Sequence, residues 1–203
     1  MEVTTEQIKA LREETGAGIM DCRAALQQSD GDFEQALSFL REKGLATALK
    51  RSDRQTSEGY LDLYSHGDGR VGVMVEVNCE TDFVARSETF RTFVHEIALQ
   101  IAAGAPEYVR PEDIPQEVLD SEREQARQFA LAEGKPENVI DRIIEGKLKK
   151  FEDEVCLVRQ PYIRDDEITI EELLLQNIAS IGENIVIRRF ERWELGEHAE
   201  VED

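Results

Sequence analysis

Along residues 1–44 apolar positions recur at spacings of three and four, the helical period. Thr4, Thr5, Glu6 and Gln7 read as a capping box, with Thr4 as N-cap and Gln7 at the third helical position, and Ile8 and Leu11 then share one face. Thr15 and Gly16 end this helix, because glycine tolerates the left-handed cap conformation. A second helix runs from about Gly18 to Ser29, with Ile19, Cys22 and Leu26 as its apolar stripe. Asp30 and Gly31 mark a turn; Asp32 caps a third helix whose Phe33, Ala36, Leu37 and Leu40 face inward and whose terminator is Gly44. Residues 45–57 lose the pattern: Lys50, Arg51 and Arg54 form a basic cluster, and Asp53, Gln55, Thr56 and Ser57 favour loop, so the segment reads as a hinge.

From residue 58 the period changes to two. Tyr60, Asp62 and Tyr64 alternate with Leu61 and Leu63, and His66 to Gly69 is a hairpin loop. Val71, Val73, Val75 and Val77 alternate with Gly72, Met74, Glu76 and Asn78, a strand with one apolar face. The alternation stops at Asn78 and Cys79, and Thr81 and Asp82 are good N-caps, so a helical turn starts there and Phe83 sits at a strand-to-helix corner. A ring at such a corner either folds back into the core or points outward, and residue type alone argues for burial. Ser87 caps a helix with Phe90, Phe93, Val94, Ile97, Ala98 and Ile101 as a full apolar face, ended by Gly104, Ala105 and Pro106. After a loop with Pro106, Pro111 and Pro115, a polar helix runs to about Glu133 and Gly134 stops it. Pro136 opens a helix striped by Val139, Ile140, Ile143, Ile144, Leu148, Phe151 and Val155. Cys156 to Ile163 is a short apolar connection broken by Pro161. Thr169 and Glu172 form another capping box; Leu173, Leu174, Ile178 and Ile181 line the last helix, closed by Gly182; and Asn184 to Trp193 is a final strand. The pattern predicts an α+β chain: a three-helix module at 1–44, a linker at 45–57, a core at 58–196 with a small three-stranded antiparallel sheet covered by helices, and an acidic tail at 197–203.

Charge narrows the partners. The chain has 44 acidic against 24 basic residues and a net charge of −20. A phosphate backbone repels such a surface, so direct nucleic-acid binding is not expected and a basic protein surface is. No apolar run approaches the roughly 20 residues that span a bilayer, so no membrane partner is expected. The first residues lack an apolar signal core, and three cysteines, Cys22, Cys79 and Cys156, without a C-x-x-C pair fit a reducing cytoplasm.

Chemistry of its own is hard to find. No phosphate-binding loop or dinucleotide fingerprint occurs. His66, His95 and His198 are scattered without metal-ligand spacing, so no metal and no cofactor is expected, and His95 reads as a flank residue of its helix. Cys79, close to Phe83 in the chain, is a candidate nucleophile by residue type, but the sequence places no partner histidine beside it. The remaining classes are a binding factor, a plain adaptor built on the helical module, and an acidic metal-dependent hydrolase. A non-enzymic binding factor is favoured.

Four stretches carry a resemblance. NCETDFVAR, with T-D-F-V at its centre, resembles the signature of the elongation factor Ts family; so do LREETGAGIMDCRAAL, KPENVIDRIIEGKLKKFEDEVCLVRQPYIRD and GENIVIRRFERWELGE. The resemblance implies a guanine nucleotide exchange factor for elongation factor Tu, and a helical module similar to a ubiquitin-associated domain. By match of position it implies that Arg12, Ile19, Met20 and Arg23 contact a helix of the G domain of Tu. Family members usually carry two methionines where this chain has Ile19 and Met20, and often Lys where it has Arg23. Ile19 and Met20 either make that contact or fill the bundle. The resemblance also implies that Thr81, Asp82, Phe83 and Val84 approach the Mg²⁺ end of the Tu nucleotide site, the Phe83 ring wedging between side chains there. Asp82 either caps the turn or holds the partner's backbone. Arg51 and its basic neighbours either meet an acidic spot on Tu or form a solvated linker. Long members of the family carry a second copy of the core and a coiled-coil insertion; this chain has room for neither, and a sheet with one bare face exposes apolar surface, so a homodimer through the sheets is expected.

Overall fold

In the computed structural model the described residues are 3–197; of the expected acidic tail, residues 198–203, with His198, lie outside them. The helical elements are α1 (Thr5–Thr15), α2 (Ile19–Gln28), α3 (Phe33–Leu49), the single turn α4 (Asp82–Ala85), α5 (Glu88–Gly104), α6 (Gln116–Ala132), α7 (Glu137–Val155) and α8 (Ile170–Ile181). The strands are β1 (Glu58–His66), β2 (Val71–Cys79), β3 (Pro161–Tyr162), β4 (Asp165–Thr169) and β5 (Ile185–Glu194). The longer strands form one antiparallel sheet in the order β1-β2-β5, the expected α+β architecture. Two compact units are distinguishable in the chain.

The first unit holds, among the described residues, Val3 to Asp62, Val75–Glu96 and Glu172–Arg188. Its amino-terminal helices start where the side chains can cap them. Thr4 Oγ accepts from the Gln7 N–H at 3.2 Å while Gln7 Oε1 accepts from the Thr4 N–H at 3.0 Å, and Asp32 accepts from the Gln35 N–H at 3.0 Å. Leu11, Cys22, Ala25, Leu26, Ala36, Leu37 and Leu40 make the cluster between these helices. Ile19 departs from expectation. It is 55% exposed, because it opens α2 beyond the reach of this cluster, and Ala25 takes the third place in the stripe.

Gly44 is the second departure, since α3 runs through it to Leu49. A glycine stops a helix by turning left-handed, and Gly44 does not. Its missing side chain serves approach instead: a Cβ there would stand 3.2 Å from the Cβ of Ala179 on α8. Farther along, Val75, Val77 and Cys79 of β2, Phe90, Phe93 and Val94 of α5, Leu174 and Ile178 of α8 and Ile185 and Ile187 of β5 are all buried.

The second unit holds Leu63–Met74, Ile97–Glu171 and, among the described residues, Arg189 to Glu197. α6 and α7 pair through Ala126, Ala130, Ile140 and Ile144, and Ile114, Val155 and Cys156 make a neighbouring cluster. The connection read as merely apolar is more ordered than that. β3 and β4 form a hairpin, pairing Pro161 with Thr169 and Tyr162 with Asp165. Two buried glutamines hold it in place. Gln100 Nε2 donates to Gln160 Oε1 at 3.1 Å and to the Pro161 carbonyl at 3.2 Å, and its Oε1 accepts from the Ile163 N–H at 2.9 Å. Gln160 Nε2 donates to the carbonyls of Gly104 and Glu154 at 3.0 and 2.9 Å. Buried amides with every group paired fix a loop as firmly as a strand does.

Candidate functional site

β2 ends at Cys79 and the chain turns at once. Thr81 is extended, with φ −127° and ψ 152°, and its hydroxyl accepts from the Val84 N–H at 3.3 Å, so the one-turn α4 starts on a side-chain cap. Val84 and Ala85 are buried and anchor the turn. Phe83, between the cap and the anchors, is 82% exposed. The residue-type argument for burial therefore fails here: the turn sends Val84 inward and leaves the ring outside. A Phe left in water forgoes about 1.5–3 kcal/mol of burial. Asp82 lies 3.0 Å from Arg86 in an exposed i,i+4 pair, which contributes little to stability.

The turn is braced from beneath. Cys79 Sγ–H donates to the Thr81 carbonyl at 3.3 Å, and Ser87 Oγ donates to the Val84 carbonyl at 2.8 Å while accepting from the Phe90 N–H at 3.3 Å. From the connection after α8, the Glu183 carboxylate accepts from the backbone of Glu80 and Thr81. Asn184, buried where the final strand was expected to begin, donates from Nδ2 to the carbonyls of Ser52 and Arg54 at 3.1 and 2.8 Å.

The other expected residues fall in two places. Arg12, Ile19, Met20 and Arg23 are exposed, Met20 at 72%, and the last three share the first turns of α2 at neighbouring spacings. Arg51 is half-buried, and its Nη1 donates to the Ile178 carbonyl at 3.0 Å in the last turn of α8. The same carbonyl accepts the Gly182 N–H at 3.0 Å, so Arg51 is its second donor and ties the segment after α3 to the end of α8.

Nothing in these groups resembles a catalytic constellation. His95 Nδ1 lies 2.8 Å from Asp62 Oδ2, and His66 Nδ1 lies 2.8 Å from the Tyr64 hydroxyl. Among the described residues no cluster of His, Cys, Asp and Glu could hold a metal ion, and no helix is long and apolar enough to cross a membrane. All three cysteines are buried and free. Burial, and then the negative charge of Glu183, pushes the Cys79 thiol up to about 11; burial, then Glu152, does the same to Cys156. Thiols held neutral and out of water are poor nucleophiles. The native chain is therefore expected to resist a thiol-alkylating reagent at neutral pH and to react at all three positions once unfolded. Mass spectrometry of the labelled chain checks this, and rapid native labelling at Cys79 would contradict it.

A helical module with a bare apolar and basic corner, and a braced turn presenting a bare aromatic ring, define a protein-docking factor. The family model for elongation factor TS matches residues 29–197. Elongation factor Ts of Caldanaerobacter subterraneus subsp. tengcongensis is 58% identical over 198 residues, covering 98% of this chain and 99% of that protein. Elongation factor Ts of Carboxydothermus hydrogenoformans is 56% identical over 195 residues, covering 96% and 90%, and that of Moorella thermoacetica is 54% identical over 195 residues, covering 96% of each. The chain belongs to the elongation factor Ts family. It is a non-catalytic guanine nucleotide exchange factor for elongation factor Tu in translation elongation.

Proposed function

We propose that exchange is performed by the turn Thr81 to Val84, with the Phe83 ring inserted at the Mg²⁺ end of the nucleotide site of elongation factor Tu. Arg12, Ile19, Met20 and Arg23 dock on its G domain, and the donors of Arg51 left over from Ile178 face an acidic spot on it. The work is done in the cytoplasm, where elongation runs. The observation that carries the reading is the 82% exposure of Phe83 between buried Val84 and a side-chain-capped Thr81. A plain adaptor would have no use for a bare ring on a braced turn. An exchange factor has one, because it must bind nucleotide-free partner better than nucleotide-bound partner, and by linkage GDP then weakens the factor by the ratio in which the factor weakens GDP. A ring whose pocket exists only after the Mg²⁺ ligands have moved supplies that difference. Asp82 serves the turn from its first position, near the positive end of its backbone dipole. The test is release of fluorescent GDP from elongation factor Tu, compared between the chain and its Phe83→Ala variant; equal rates from equally folded proteins overturn the reading.

The chain acts as a homodimer in the same proposal. Its support is the alternation in β2, where Val73, Val75 and Val77 are buried while Gly72 and Met74 are exposed, and the exposure of Leu63 on β1. An uncovered apolar sheet surface is what a second copy would bury. Light scattering at micromolar concentration is expected to give about twice the 23.1 kDa chain mass. A single species at the chain mass removes the dimer and leaves the exchange reading standing.

A further inference from the structure

α8 ends at Ile181, and Gly182 turns the chain out of it with φ 90° while its N–H closes the helix on the Ile178 carbonyl at 3.0 Å. The next side chain, half-buried Glu183, meets the chain 102 residues earlier. Its Oε2 accepts from the N–H groups of Glu80 and Thr81 at 3.1 and 3.0 Å, and its Oε1 accepts from Thr81 Oγ at 2.6 Å. The favour is returned one residue along, where the Asn184 N–H donates to Glu80 Oε1 at 2.7 Å. Glu183 thus holds the backbone of Glu80 and Thr81, and Glu80 holds that of Asn184, across the start of the turn.

The chemistry demands a carboxylate. All three groups facing Glu183 are donors, and an ionised carboxyl is acceptor-only at both oxygens. The single proton of the Thr81 hydroxyl is committed to Glu183, so an oxygen lone pair is what faces the Val84 N–H, and the cap is set with the polarity α4 needs. An amide of the same size could satisfy the two peptide N–H groups with its oxygen, but its NH₂ would then confront Thr81 Oγ. The hydroxyl proton would lose its acceptor and the cap its fixed orientation. Backbone bonds at Glu80 and Thr81 also stop the chain from slackening where strand becomes turn. Phe83 has no packing of its own to hold it, being outside the core, so its direction is set by what holds Thr81 and Val84.

We propose that Glu183 is a positioning residue for nucleotide exchange: from the connection between α8 and β5 it fixes the Thr81–Val84 turn in the geometry that presents the Phe83 ring. This rests on the exchange role given to Phe83. Four full-length chains test it, namely wild type, Glu183→Gln, Phe83→Ala and the double variant, each assayed for fluorescent GDP release from elongation factor Tu at saturating factor, with circular dichroism on the same preparations. Glu183→Gln is expected to fold and to release GDP about ten-fold more slowly, the effect of losing one charge-assisted hydrogen bond on the turn. In the Phe83→Ala background the same change is expected to cost less than about two-fold, because a residue that acts through the ring has nothing left to position. A loss of stability alone would leave the rate per folded molecule unchanged, and a ring-independent effect would slow both backgrounds by one factor; either result overturns the proposal. A slow Phe83→Ala beside a wild-type rate for Glu183→Gln overturns this inference alone. A wild-type rate for Phe83→Ala overturns it together with the exchange role of the ring.

Discussion

Phe83→Ala is expected to slow catalysed GDP release from elongation factor Tu by roughly tens- to hundreds-fold, with the melting temperature nearly unmoved. The two halves of this expectation come from the same fact, that the ring is 82% exposed. An exposed side chain contributes little to folding, and substitutions of that kind stay within about 0.5 kcal/mol. The residues that hold the turn are elsewhere: Val84 and Ala85 in the core, Thr81 at the cap, and Phe90, Phe93 and Val94 along α5. The same ring, once buried in a partner, is the kind of aromatic anchor whose truncation costs about 2–4 kcal/mol. If that loss falls on the nucleotide-free complex, it appears in the release rate rather than in affinity for GDP-bound Tu. Stopped-flow release and a melting curve on one preparation decide the matter. A lowered melting temperature with normal release per folded molecule would mean that the ring serves the fold, and a normal rate from a native protein would remove its role in exchange.

Local rules carried most of the fold, because most of its elements begin and end on local chemistry. The capping box at Thr4 and Gln7, the cap at Asp32, the valine alternation of β2 and the apolar face from Phe90 to Ile101 are all written within a few residues of where they act. The failures have a common cause: the deciding partner is distant in the chain. Gly44 reads as a stop until Ala179 is found against it. Residues 156–163 read as plain connection because the amides that order the hairpin begun at Pro161 belong to Gln100 and Gln160, and neither glutamine differs in the sequence from one facing water. Ile19 has the spacing of a core residue and lies outside the core, since periodicity does not say where the neighbouring helices end. The turn itself was legible, through Thr81 and Asp82 and through a resemblance. Which way its ring points was not, because the direction is set by Val84 taking the inward place. Glu183 lies in the stretch GENIVIRRFERWELGE that carries part of the resemblance, but nothing there sets its carboxylate apart from the rest of the 44 acidic side chains. Only the signature of a helix end, Gly182 and the polar residues after it, marks the spot.

Replacing Ile19 and Met20 together by serine is expected to weaken binding of elongation factor Tu by about a hundred-fold while leaving the release rate at saturating factor close to wild type. Both side chains open α2 in water, at 55% and 72% exposure, and neither belongs to the cluster of Leu11, Cys22, Leu26 and Leu40. Their removal therefore costs the free protein little. Against a partner helix, two fully buried aliphatic chains are worth about 1.5–3 kcal/mol each, before the cost of imperfect fit. Arg23, one helical turn along the same face, and Arg12 at the end of α1 would supply charge at the edge of such a contact, where it governs the encounter rate and salt dependence more than affinity. The helices carrying this face are not loosely tethered to the rest of the first unit. Arg51 is bonded to the end of α8, and Ser52 and Arg54 are held through their carbonyls by Asn184. On the proposed roles, a docked module in this arrangement would hold the Thr81–Val84 turn at a fixed reach, so its loss would be made good by concentration and the loss of Phe83 would not. The measurement is a titration of factor against catalysed GDP release. A shifted half-saturation point with an unchanged plateau is the expected result; a lowered plateau at full saturation would show that Ile19 and Met20 take part in exchange itself and not in docking alone.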